Sequence, residues 1–230
     1  MYNSVKTKIF ISVLLLIALF YGCTYGGVKV TKEIEENETE NEIIFIETPK
    51  IKGLGEEFSN TINQQIEESI KAKKENFLDR AQDTKEERDK KAKLEISQKV
   101  TYNKNDLLSI VEECFEYTSG LTGAVSRMIV NIDAKSEKRI YLKDLFNDQE
   151  YIGFLNAKLL KMSEREEYSD IWEKPVIGEA QNEYFYLDDN GLVIFYPPYE
   201  LSYYARGFVE FCIPYSELYG YLKPEYTVLY

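Results

Sequence analysis

Histidine is absent from all 230 residues. Without imidazole there is no Ser-His-Asp or Cys-His machinery, no histidine-ligated zinc and no histidine acid or base, so several common hydrolase designs are excluded. Neither a carboxylate pair nor a lone nucleophile with a lysine shows a recognisable catalytic spacing. Asp188 and Asp189 belong to an Asp-Asp-Asn-Gly turn, which accounts for them. No catalytic residue, cofactor or metal is therefore expected. Cysteine is nearly as scarce, at three. Long apolar runs are missing apart from one, the fourteen uncharged residues from Ile9 to Gly22. At about 1.5 Å per residue that run reaches roughly 21 Å, short of the ~30 Å hydrocarbon core of a bilayer.

What is present begins at that run. MYNSVKTK precedes it with two lysines and no acid, and residues 1–22 read as an export signal. Leu19-Phe20-Tyr21-Gly22-Cys23 resembles a bacterial lipoprotein signal, in which the thiol of Cys23 receives diacylglycerol after cleavage and ties the protein to the membrane. A short uncleaved anchor and plain secretion are the alternatives. In each case the rest of the chain is expected outside the cytoplasm, and with eight residues ahead of the run no cytoplasmic domain is expected.

Lys and Arg number 28 against 40 Asp and Glu, a net charge of -12. A surface of that sign repels nucleic acid and anionic wall polymers and attracts basic proteins. Ordinary solubility also accounts for it, and charge alone identifies no partner.

The organisation follows from periodicity. Residues 23–42 are polar, acidic and aperiodic, which predicts a flexible tether. Residues 43–105 read as an N-terminal subdomain of strand, helix and strand. The helix, from Glu56 to about Gln82, is marked by Phe58, Ile62, Ile66 and Ile70, a stripe that Phe77, Leu78 and Ala81 continue. In LEISQKVTY, Leu94, Ile96, Val100 and Tyr102 alternate with polar residues. Residues 106–230 form a C-terminal subdomain: two further strands, a helix over about 150–166 with Ile152, Leu155, Leu159, Leu160 and Met162 inward, a hairpin across Asp189-Asn190-Gly191, the strand GFVEFCIPY and a short helix SELYGYL. The predicted class is α+β, an antiparallel sheet with two main helices on one side. Counting by two places Cys114 and Cys212 on the more polar faces of their strands, and an oxidising space permits a bridge between them.

Three stretches carry a family resemblance. TPKIKGLGEEFSNTINQQIEESI, NIDAKSEKRIYLKDLF and FYLDDNGLVIFYPPYELSYYARGFVEFCIPYSEL resemble, in order and in signature, the paired exported domains of the RsiV-type anti-sigma ectodomain, shared with the accessory region of the peptidoglycan deacetylase PdaC. Together they cover roughly residues 43–220. The resemblance implies binding more than catalysis, since in the anti-sigma branch the ectodomain grips lysozyme, a small basic protein. Neither an anti-sigma segment nor a deacetylase domain is expected here. Where the family carries a Gly-Gly-Ala-His loop, this sequence has Ser119-Gly120-Leu121-Thr122-Gly123-Ala124. The closing stretch packs tyrosine and proline into a dozen residues, and such side chains offer large contact area at low conformational cost. Pro197, Pro198, Tyr199, Tyr203 and Tyr204 are the predicted partner-binding rim, with Arg206 as a charged contact; stacking of Tyr199 and Tyr203 inward on the sheet is the competing expectation. A basic protein such as lysozyme is the expected partner, a cell-wall glycan or peptide the alternative, and nucleic acid is not expected.

Overall fold

Strict alternation over residues 92–98 buries Ala92, Leu94, Ile96 and Gln98 and leaves the residues between them half-exposed. That period of two builds most of the molecule. The computed structural model describes residues 28–87 and 89–229; the export signal and Cys23 lie outside the described residues. In chain order the elements are β1 (Lys29–Glu38), β2 (Glu42–Lys52), α1 (Glu56–Asp83), β3 (Ala92–Lys104), β4 (Leu107–Tyr117), β5 (Ala124–Asp133), β6 (Lys138–Arg139), α2 (Glu150–Ser163), β7 (Phe185–Asp188), β8 (Gly191–Tyr196) and β9 (Val209–Ile213). The class is α+β. Strands β1 to β6 make one sheet in sequence order, and β7, β8 and β9 a second. All pairings are antiparallel except β2 with β3, which run parallel because α1 crosses between them.

Helix α1 lies on one face of the large sheet. Its Ile62, Ile66, Ile70, Phe77 and Ala81 share a core with Ile44, Ile46, Leu94, Ile96, Leu108 and Ile110, and each such isoleucine or leucine stabilises the fold by roughly 1.5–3 kcal/mol. Helix α2 does not join α1 on that side. Its Leu155, Leu159 and Met162 pack with Phe185, Leu187, Leu192, Ile194, Val209, Phe211 and Ile213 of the small sheet. Tyr151 is buried in the same core, whereas Leu160, expected inward, is 40% exposed. The expected short helix SELYGYL is a 3-10 segment, Tyr215–Leu218, and a further one, Pro224–Leu229, follows it.

The two sheets meet at the edge of β7. A two-residue hairpin at Asp189-Asn190 directs the backbone groups of Phe185 and Leu187 away from β8. Asn131 Nδ2 donates to the Phe185 carbonyl at 3.0 Å, and the Leu187 amide donates to Ser109 Oγ at 3.2 Å. Ser109 Oγ in turn donates to Asn131 Oδ1 at 2.5 Å, and both side chains are buried. An otherwise open strand edge is thereby sealed by side chains on β4 and β5.

Several expectations are corrected. Residues 29–38, read as part of a tether, form β1. The acids that suggested disorder are paired with lysines: Glu33 with Lys50, Glu35 with Lys74, Glu38 with Lys91, while the backbone pairs with β2 in continuous register. Val100 and Tyr102 do not share a face. A bulge between them leaves Val100 exposed and turns Tyr102 into the core, edge-on to Tyr215. The hairpin across Asp189-Asn190-Gly191 forms as expected, though without positive φ at Asn190 or Gly191. Gly191 is required by proximity, since a Cβ there would collide with the Ile213 carbonyl on β9. Finally, the thiols of Cys114 and Cys212 are both free. β4 is covered on both faces, so the side opposite Phe115 is not its polar side: Cys114 lies in the core beneath α1, while Cys212 belongs to β9 of the other sheet.

Candidate functional site

The closing stretch leaves β8 at Tyr196, which is buried and donates its hydroxyl to the Val176 carbonyl at 2.8 Å. Burial pushes that phenol well above its ordinary pKa. Pro197 and Pro198 are half-buried and start a turn closed by the Glu200 amide donating to the Pro197 carbonyl at 3.2 Å. Tyr199 stands at its apex with φ +71°. A bulky aromatic in the left-handed region costs on the order of 1–2 kcal/mol. The conformation is held by the Tyr199 amide donating to the Ser202 carbonyl at 3.1 Å, and by Leu201, which is buried.

Downstream, the loop is fastened to the segment after α2. The Trp172 amide donates to the Leu201 carbonyl at 3.0 Å, and Ser202 Oγ donates to the carbonyl and Oδ2 of Asp170 at 3.0 and 3.1 Å. Arg206 bridges to Asp170 at 3.2 Å and donates to the Glu167 carbonyl at 2.8 Å. Its guanidinium also faces the Tyr168 ring at 5.9 Å. The Tyr204 hydroxyl donates to the Gly123 carbonyl and so ties the closing loop to the 119–124 loop. Gly123 has no room for a side chain, because a Cβ would meet the Phe115 ring.

The result is a rim of rings facing solvent. Tyr199 is 68% exposed, Trp172 55% and Tyr203 50%. Trp172 and Tyr203 meet edge-to-face at 5.5 Å, and Tyr199 and Tyr204 lie tilted at 5.5 Å. Leu121, at the tip of the neighbouring loop, is fully exposed. Of the residues singled out in the sequence, Tyr199 and Tyr203 are open, Pro197, Pro198 and Tyr204 are part of the loop's footing, and Arg206 is engaged by Asp170. Trp172 was not among them. Its irregular surroundings carry no period, and being the single tryptophan was its only signal.

Reacting groups do not gather here. Asp188 accepts from the Asn190 amide at 3.0 Å, and Asp189 pairs with Lys104 at 2.7 Å. Burial raises the thiol pKa of both Cys114 and Cys212, with nearby acids adding to it and Lys73 opposing it at Cys114. Among the described residues no group of three or more acids and cysteines is placed to hold a metal ion, and no helix is long and apolar enough to cross a membrane.

The order of strand, helix and sheet followed by a second small sheet with an aromatic closing loop is similar to the RsiV-like, PdaC-accessory domain architecture. Residues 34–123 match the family described as Deacetylase PdaC, and residues 143–216 match the Protein of unknown function (DUF3298) family. The chain is 29% identical over 195 residues to the anti-sigma-V factor RsiV of Bacillus subtilis (strain 168), covering 79% of this chain and 66% of that protein. It thus spans slightly under two thirds of this curated relative's length. Crystal structures of DUF3298 family proteins share the fold: one from Bacteroides fragilis NCTC 9343 (TM-score 0.66, 16% identity, 90% of this chain and 98% of that one) and one from Pseudomonas aeruginosa PAO1 (TM-score 0.63, 18% identity, 86% and 96%).

Proposed function

We propose that the protein is an extracytoplasmic binding protein, held at the membrane by lipid on Cys23, that captures a cell-wall hydrolase of lysozyme type as inhibitor or sensor. The observation that carries this reading is the rim of Tyr199, Tyr203 and Trp172, kept in solvent by a loop whose apex is strained and whose base is fastened by hydrogen bonds from the buried Ser202 to Asp170. Rigid aromatic side chains lose little freedom on binding and dominate the centre of interfaces. The net charge of -12 favours a basic partner, and the RsiV-type resemblance names lysozyme as the first to try.

The test is retention of lysozyme on the immobilised protein at moderate salt. The parent chain is expected to retain it and a Tyr199→Ala, Tyr203→Ala variant to lose most retention; no retention by the parent overturns the reading. A wall-glycan module is the second reading, because exposed Trp and Tyr faces also suit sugar rings. Retention on insoluble peptidoglycan without any protein partner would favour it.

A further inference from the structure

Three rings cannot make a stable interface alone. A large aromatic side chain buries at most about 150–250 Å², and these are only half to two thirds available, against roughly 800 Å² per partner in a standard interface. More surface must be recruited, and the register shows where it lies. Glu36, Phe45, Glu95, Phe115 and Val125 are paired in one row across β1 to β5. Their neighbours one residue along, such as Ile44, Ile46, Leu94 and Ile96, are buried under α1, while this row faces the opposite side. On that side the small sheet covers only the far half, where Val111 and Ile129 meet Phe195. The near half is uncovered: Phe45, Phe115 and Val125 are half-exposed, and the side chains of Glu95 and Glu113 are 43% and 53% exposed.

We propose that the docking surface continues from the aromatic rim onto this uncovered half of the six-stranded sheet, and that the basic partner seats there on an apolar floor edged by Glu36, Glu95 and Glu113. This rests on the reading of the rim as a docking site for a basic protein. Continuity is direct, since Gly207 and Phe208 at the foot of the closing loop share a groove of about 250 Å³ with Glu95, Glu113, Phe115 and Val125. The charge is complementary. Of the cations on this face, Lys93 is engaged by Glu95 at 2.6 Å, Arg127 by Glu113 at 2.5 Å and by Glu210, and Lys32 by Glu47 at 2.7 Å, and Glu36 makes no ion pair among the described residues. A second copy of this acidic chain would meet like charge on the same face.

Lysozyme affinity of the full chain, measured by biolayer interferometry, decides the matter. Glu36→Lys with Glu95→Lys is expected to weaken binding about tenfold or more, and Glu68→Lys with Glu75→Lys, the same charge change on the solvent side of α1, by no more than about twofold. Unchanged affinity in the first variant, with binding still lost on Tyr199→Ala, overturns the extension and leaves the rim reading standing. Equal weakening in both pairs also overturns it, since the attraction would then be general rather than seated on this face. Absence of binding by the parent chain sinks the rim reading and this extension together.

Discussion

Tyr199 combines two properties that stability alone would not keep together: φ of +71° and a ring two-thirds in solvent. Glycine adopts that backbone without the Cβ clash, at a cost in unfolded-chain entropy of about 0.5–1 kcal/mol. Tyr199→Gly is therefore expected to leave stability unchanged or raise it by up to about 1 kcal/mol while weakening partner capture; chemical denaturation and the lysozyme retention assay read the two effects separately. A drop in stability together with unaltered capture would mean the ring serves the fold. The sequence pointed to this loop through composition, since tyrosines and prolines in such density are visible by eye. It could not distribute roles within it. That Arg206 turns back to Asp170, and that Trp172 stands beside Tyr203, depend on contacts spanning more than thirty residues, which no local pattern encodes.

Strands β4, β5 and β7 depend on one polar knot. Asn131→Ala removes the donor to the Phe185 carbonyl and the acceptor for Ser109, leaving buried polar groups unpaired. Destabilisation of about 1–3 kcal/mol is expected, read as a lower urea midpoint. Adding Ser109→Ala should cost less than its separate effect, because the two share one network; full additivity would argue against the knot. Helix α1 and strand β3 were legible because a buried stripe repeats every fourth or every second residue. β1 was not, since its strand character comes from pairing with β2 and its acids are neutralised by lysines on other elements. The small sheet explains two further departures. It gives β4 a second covered face, which defeated the assignment of Cys114, and it brings Ile213 against Gly191, a close approach with no trace in the Asn-Gly dipeptide.

At the scale of the fold, the tyrosine count of 19 divides between surface and interior. Burial raises the phenol pKa of Tyr102, Tyr151, Tyr168, Tyr186, Tyr196 and Tyr215, and that of Tyr226 is pushed up to about 12. Unfolded tyrosines ionise near pH 10. Below that pH both states keep these protons and stability does not depend on them. Above it the unfolded chain sheds protons that the folded one retains, so stability falls as pH rises. Phenolate absorbance is expected to grow in two steps, the later one coinciding with loss of near-ultraviolet circular dichroism; a single step near pH 10 with the fold intact would refute the assignment. The incorporation of β1 into the sheet has a further effect on reach. From Cys23 to Val28, where the described chain begins, is five residues, at most about 18 Å when fully stretched. In the proposed anchored form the domain would be leashed close to the bilayer, able to pivot but not to range outward, so that any partner would have to come within that short distance of the membrane to be met.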